Sequence, residues 1–215
     1  VNELAIARSP ADAPGRLYYT ARLRYFTPAE NVEAANHGIG VSHEYFAAEG
    51  EEPMSEADPG EIVKVRVTLV AESDLNFLVL EDYLPAGLEP IDTSLKTSPP
   101  EVRRLMEAEQ RRAYQIRRTY SPFGHVDIRD NRVALFARFV PRGVYEYTYF
   151  AQAATPGEFR VAPATAYEQY FPEVWGRSDG GVFTVRNGGP EATSPAPAFA
   201  GSLPGPAPAD ATLPD

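Results

Sequence analysis

Alternation of apolar and polar residues is the clearest signal along the chain. In residues 62–70 (IVKVRVTLV), Val63, Val65, Val67 and Leu69 share one face, and Lys64, Arg66 and Thr68 share the other. A side-chain period of two over that length predicts a strand with one buried side and one solvent-facing side. The same reasoning puts Leu17, Tyr19, Ala21, Leu23 and Tyr25 on one face of a strand over 17–26. It also predicts a short strand over 41–47, after the loop Asn36-His37-Gly38. Residues 77–84 are apolar on both faces, as in a central strand under cover, and Pro85-Ala86-Gly87 ends that run. Asp130-Asn131 has the composition of a hairpin turn between 125–129 and 132–140, with Val133, Leu135, Ala137 and Phe139 inward. Residues 144–153 align Tyr145, Tyr147 and Tyr149 on one side. Turns at Asp58-Pro59-Gly60 and Pro156-Gly157, an extended run over 158–162 and a closing strand over 182–186 complete the pattern.

One segment changes period. Ser98-Pro99-Pro100-Glu101 offers a serine N-cap, a proline at the first helical position and an acid three residues on. Val102, Leu105 and Met106 then recur at helical spacing, with Ala113 further along, which predicts a helix near 99–114 packed on a sheet. About eight short strands with turn punctuation and one helix give a mainly β fold: an antiparallel two-sheet sandwich with one crossover helix. The expected organisation is a connecting segment from an upstream domain over 1–16, the sandwich over 17–187 and a tail over 188–215. Alanine and proline dominate that tail, which has too few large apolar residues to offset its ordering entropy, so it is expected to be disordered.

Composition then narrows the chemistry. No cysteine occurs, so no disulfide or thiolate is possible within these residues. The formal charge of -10 argues against a phosphate-binding surface spread over the whole domain, and no nucleic-acid partner is expected. No run of about 20 apolar residues is present, so direct membrane insertion is not expected. Any export signal would lie upstream of Val1.

Candidate reactive groups are few. His37 and His43 stand six apart, and His125 is distant; without cysteine or clustered carboxylate partners they predict no metal site, and no cofactor is expected. Asp127 and Asp130 flank a hairpin, where carboxylates commonly satisfy backbone amides. Glu81-Asp82 lies within an apolar strand, and a buried carboxylate needs a partner, for which Arg66 or Arg138 is the expected source. Ser178 sits in Gly176-Arg177-Ser178-Asp179-Gly180-Gly181, which lacks both the nucleophile elbow and the strand-to-helix setting of a phosphate loop, so a connecting turn is expected. Arg103, Arg104, Arg111 and Arg112, followed by Arg117 and Arg118, form a basic cluster. It is either a docking patch for an acidic partner or a solvated face balanced by Glu101, Glu107 and Glu109, and the mixed charge favours the second. These residues assemble no enzyme active site.

Three separated stretches resemble the bacterial alpha-2-macroglobulins. They are GRLYYTARLRYF (15–26), VLEDYLPAGLEPID (79–92) and YEYTYFAQAATPGEFRVAPATAYEQYFPEVWGRS (145–178), and they occur in the family's order. The resemblance implies a macroglobulin-like sandwich, the C-terminal, receptor-binding-type domain of a protease-trapping inhibitor. Its partners would be the other domains of the same full-length chain and, indirectly, target proteases. Such proteins are exported to the periplasm or cell envelope, in some cases lipid-anchored through an N-terminal region. The first stretch resembles the strand that re-enters the scaffold after the thioester-bearing domain. Gln169 and Tyr170 fall where relatives carry a Met-Tyr pair whose tyrosine shields the thioester; here the tyrosine is kept and the methionine is replaced. An aromatic cover of that kind excludes water from a hydrolysable acyl bond. The contrasting reading has Tyr170, Phe171 and Trp175 filling the end of the sandwich. The alternative function is a stand-alone adhesin or carbohydrate-binding sandwich, whose signature would be Tyr145, Tyr147 and Tyr149 exposed in a row for stacking on sugars.

Overall fold

A strand forms only where a neighbour accepts its amides, and thirteen described segments find one. The computed structural model describes residues 16, 18–93, 95, 98–115 and 121–187. A 3-10 turn, Ala29–Asn31, precedes β1 (Ala35–His37), β2 (Ile39–Ala47), β3 (Glu56–Ala57), β4 (Ile62–Ala71), β5 (Leu75–Tyr83) and β6 (Leu88–Pro90). The helix α1 (Pro100–Gln115) follows. Then come β7 (His125–Arg129), β8 (Arg132–Val140), β9 (Gly143–Ala153), β10 (Gly157–Val161), β11 (Thr165–Glu168), β12 (Phe171–Arg177) and β13 (Gly181–Val185). Two main sheets result, a six-stranded one in the order β1-β12-β11-β5-β8-β7 and a four-stranded one in the order β2-β4-β9-β6. A small third sheet, β10-β13-β3, contributes Phe183, Val185, Val161 and Ala57 to the same core. Every pairing is antiparallel except β13 with β3. The helix joins β6 of one main sheet to β7 of the other, so it is a crossover as expected.

The core is built from the predicted alternation. Val63, Val65, Val67 and Leu69 of β4 are buried, facing Leu78 and Leu80 of β5 and Val133 and Leu135 of β8. Each fully buried side chain of this size contributes about 1.5–3 kcal/mol through removal from water. The opposite face of β4 departs from expectation: Lys64 is 0% exposed rather than solvent-facing. Face assignment holds, but α1 lies over that outer face, and the Lys64 ammonium pairs with Glu109 of the helix (3.0 Å) and with Glu51 (2.9 Å). Val102 seats the helix and is buried, whereas Leu105 and Met106 are half-buried. The expected serine cap is not formed. Pro99 supplies the first helical carbonyl to the Arg103 amide, one position later than predicted, and the Ser98 hydroxyl donates instead to the Asp92 carbonyl.

Two other expectations are corrected. Residues 18–26 form no strand, and Tyr18, Tyr19, Leu23, Tyr25 and Phe26 are all exposed. Their alternation is real, but among the described residues nothing pairs with that backbone, and an unpaired strand has no ladder to hold it. Leu17 and the proposed tail over 188–215 lie outside the described residues. Phe139, expected inward, is 48% exposed. The cause is a kink shared by β5 and β8. Leu75 pairs with Val140 and Leu78 with Ala137, all four buried, while Asn76, Phe77, Arg138 and Phe139 between them all turn outward. Phe77 carries φ 51° there, a left-handed backbone that shifts the alternation by one residue.

Candidate functional site

The β11–β12 hairpin carries the most exposed aromatic side chains of the sheet region. Tyr167 lies opposite Trp175, but Glu168 pairs with Phe171, so three residues including Pro172 are bulged out of β12. A bulge is one of the few places a strand tolerates proline, whose missing N–H cannot join the ladder. Gln169 and Tyr170 form the tip; Tyr170 is 68% exposed and Phe171 51%. The reading in which these rings fill the end of the sandwich is therefore corrected for both. Trp175 is half-buried and stacks on His37 with ring centroids 4.5 Å apart.

Sequence reasoning missed the seat of this tip. The ring of Phe77 meets that of Tyr170 edge-on, with centroids 5.2 Å apart and planes at 84°. The Gln169 amide donates to the Phe77 carbonyl at 3.0 Å, and the Asn76 amide donates to the buried Glu168 carboxylate. A bulky residue at positive φ costs about 1–3 kcal/mol and persists only where its surroundings over-determine it. No periodicity signals such a residue, and the hairpin that meets it lies about ninety residues away in sequence.

The buried carboxylate of the Glu81-Asp82 pair is satisfied differently than expected. Asp82 accepts from the Tyr149 hydroxyl at 2.8 Å and lies 2.8 Å from His43 Nδ1. Both partners belong to the opposing four-stranded sheet, so the cluster spans the sandwich. Burial pushes the Tyr149 phenol well above its ordinary range, and the neighbouring Asp82 charge adds to this. Tyr45 is raised in the same order of causes, and its hydroxyl is buried with no protein hydrogen-bond partner. Glu81 faces outward and pairs with Arg132 at 2.6 Å. Arg66, the first expected partner, instead pairs with Glu51 at 3.0 Å and lies over the Phe46 ring. Neither it nor Arg138 serves the pair.

The remaining candidates scatter. His37 and His125 stand on opposite edge strands of the six-stranded sheet, and His43 is in the other sheet. Among the described residues no three His, Asp or Glu side chains are grouped to hold a metal ion. Ser178 is buried, accepting from the Ala164 amide and donating to the Asp179 carbonyl, a connection rather than a nucleophile. Asp127 pairs with Arg129 at 2.9 Å. Of the basic cluster, Arg103 and Arg104 are exposed, Arg111 faces Glu107 at 3.9 Å and Arg112 pairs with Glu51. Arg117 and Arg118 lie outside the described residues. Tyr149 is buried and Tyr145 and Tyr147 pack against the core, so the tyrosine row is not a platform for sugars.

The sequence profile of the bacterial alpha-2-macroglobulin MG10 domain matches residues 38–173, more than half of the chain. The chain belongs to this family. The MG10 match includes the strained Phe77 and the Gln169–Tyr170 tip, and residues 18–37 precede it. An alpha-2-macroglobulin homolog of Nostoc sp. is 29% identical over 119 residues, covering 55% of this chain and 6% of the relative. The Circularly permutated Ras protein 2 of Dictyostelium discoideum is 25% identical over 176 residues, covering 78% of this chain and 4% of that protein. The crystal structure of trypsin-activated alpha-2-macroglobulin from Escherichia coli superposes with a TM-score of 0.64 at 21% identity, over 73% of this chain and 11% of that one. At that identity the superposition speaks for the fold. This MG10 chain thus spans a small fraction of the length of the relatives it matches. Among its described residues no helix is long and apolar enough to cross a membrane.

Proposed function

We propose that this chain is the C-terminal, receptor-binding-type module of a bacterial alpha-2-macroglobulin, an exported protease inhibitor of the periplasm or cell envelope. It acts by contact with the other domains of its own full-length chain and meets target proteases only through them. It carries no enzymatic activity of its own and binds no nucleic acid. Its working surface is the hairpin tip, where Tyr170, with Gln169 beside it, covers a thioester held by a neighbouring domain. The exposure of Tyr170 on a two-residue tip inside an MG10 match carries this reading. An aromatic ring held out from the sheet can exclude water from an acyl bond, and its phenol can add one hydrogen bond.

The exposed run 18–26 fits the same reading. Tyr19, Ala21, Leu23 and Tyr25 alternate on one face with no pairing partner among the described residues. Such a segment adds readily to the open edge of another sheet, as a strand of an upstream domain would. The exposed Arg103 and Arg104 stand ready for an acidic neighbour in that assembly, whereas Arg111 and Arg112 already face Glu107 and Glu51.

Tyr170→Ala in the full-length protein tests the tip. With a thioester in the upstream chain, free thiol is expected to appear faster on incubation with methylamine. An unchanged half-life would reduce Tyr170 to a surface residue.

A further inference from the structure

We infer that Phe77 is the positioning residue of the Tyr170 tip: its left-handed backbone and its ring together fix where the tyrosine projects. The inference rests on the contact role proposed for Tyr170 and adds how that contact is preformed. Three successive hairpin residues are tied to two successive residues of β5. The Glu168 carboxylate accepts from the Asn76 amide, the Gln169 amide donates to the Phe77 carbonyl at 3.0 Å, and the Tyr170 ring stands edge-on to the Phe77 ring at 5.2 Å. Glu168 is buried while Tyr170 is 68% exposed, so the tip is anchored at its base and presented at its end.

The kink is what makes this arrangement available. Continuous alternation back from the buried Leu78 would turn Asn76 inward and Phe77 outward on an ordinary extended strand, and it would leave Leu75 facing solvent. Instead Leu75 is 1% exposed, and Asn76 and Phe77 both face out. The φ of 51° at Phe77 produces that double outward step. Glycine or asparagine would adopt such a backbone with less strain, and Phe77, 47% exposed, is not part of the core cluster. Its ring meets the Tyr170 ring edge-on, and an exposed tyrosine with a fixed orientation loses less freedom on contact than one that must be ordered first.

The test separates this inference from the role it rests on. In the 215-residue chain labelled with 3-fluorotyrosine, the Tyr170 line is identified by its loss in Tyr170→Phe. Phe77→Gly keeps the left-handed backbone and deletes the ring. The Tyr170 line is expected to move to the position of a freely rotating tyrosine, and Phe77→Tyr is expected to restore it. A Tyr170 line unmoved by Phe77→Gly overturns the inference, whatever Tyr170 does in the assembled protein. In the full-length protein with a thioester, Phe77→Gly should speed methylamine reaction, and the double variant should react no faster than Tyr170→Ala alone. Multiplicative effects of the two substitutions would show that Phe77 acts elsewhere and would also overturn it. A normal half-life in Tyr170→Ala would remove the shielding role and leave the fluorine result to decide the positioning.

Discussion

Asp82 shows how much one buried charge depends on its neighbours. It is 1% exposed and is held by His43 and Tyr149 of the opposing sheet. Removing one partner leaves a buried acceptor with less than its full set of bonds, which costs about 1–3 kcal/mol. Tyr149→Phe is therefore expected to lower stability by about that amount in urea denaturation. Tyr45→Phe should be neutral or stabilising, because it deletes a hydroxyl with no protein partner. Equal losses for the two variants would contradict the assignment. The same pair gives an alkaline signature. Both phenols are raised in the folded state, so the folded protein keeps protons that the unfolded chain releases near pH about 10. The contribution is fully present below that pH and is lost as pH rises through the folded values, since stability falls wherever the folded state binds more protons. Stability should therefore decline above pH about 10, and less steeply in Tyr149→Phe than in wild type. The requirement that Asp82 find a partner could be seen in the sequence. Its identity could not, because it depends on which strands of two sheets face each other, and arginine was the wrong guess.

At the scale of elements, strands with a strict period of two were legible and their cover was not. The segments 62–70 and 132–140 form where alternation placed them, as β4 and β8, and 125–129 forms where the Asp130-Asn131 turn placed it, as β7. Short pieces such as β3, β6 and β11 carry too few residues for any period, and they form because longer strands offer them edges. Lys64 looked solvent-facing because nothing local announces that a helix some forty residues downstream lies over it. That helix is held in part by charge. Glu109→Ala leaves Lys64 with Glu51 alone, so amide hydrogen exchange along α1 should quicken and stability should fall by about 1–3 kcal/mol. Unchanged protection would mean that Val102 and the half-buried Leu105 and Met106 suffice to dock the helix. The Phe77 kink was the least legible feature. Its residues look like ordinary strand, and the β11–β12 hairpin they contact is distant in sequence.

For the whole molecule, the chemistry sits at the surface and the core serves to hold it. The apolar rows of two sheets enclose the inter-sheet cluster, in which His43 and Tyr149 both meet the buried Asp82 carboxylate. What faces outward is an aromatic tip, an alternating run without a pairing partner among the described residues, and a few exposed arginines. The proposed role, a module that completes a larger protein, draws on this surface, on the MG10 match and on the small share of its relatives' length that the chain spans. The fold class was legible in the period-two runs and turn residues, whereas Gln169 and Tyr170 stood out only through the resemblance carried by residues 145–178. The orientation of Tyr170 was not, because sequence cannot separate a ring that fills a core from one that leaves it. The most direct measurement is protease challenge of the full-length protein that contains this chain, followed by small-angle scattering and native gel mobility. The account predicts a compaction and a mobility shift on limited cleavage, weakened when residues 16–187 are deleted. A full-length protein whose shape and mobility stay the same after cleavage would contradict it.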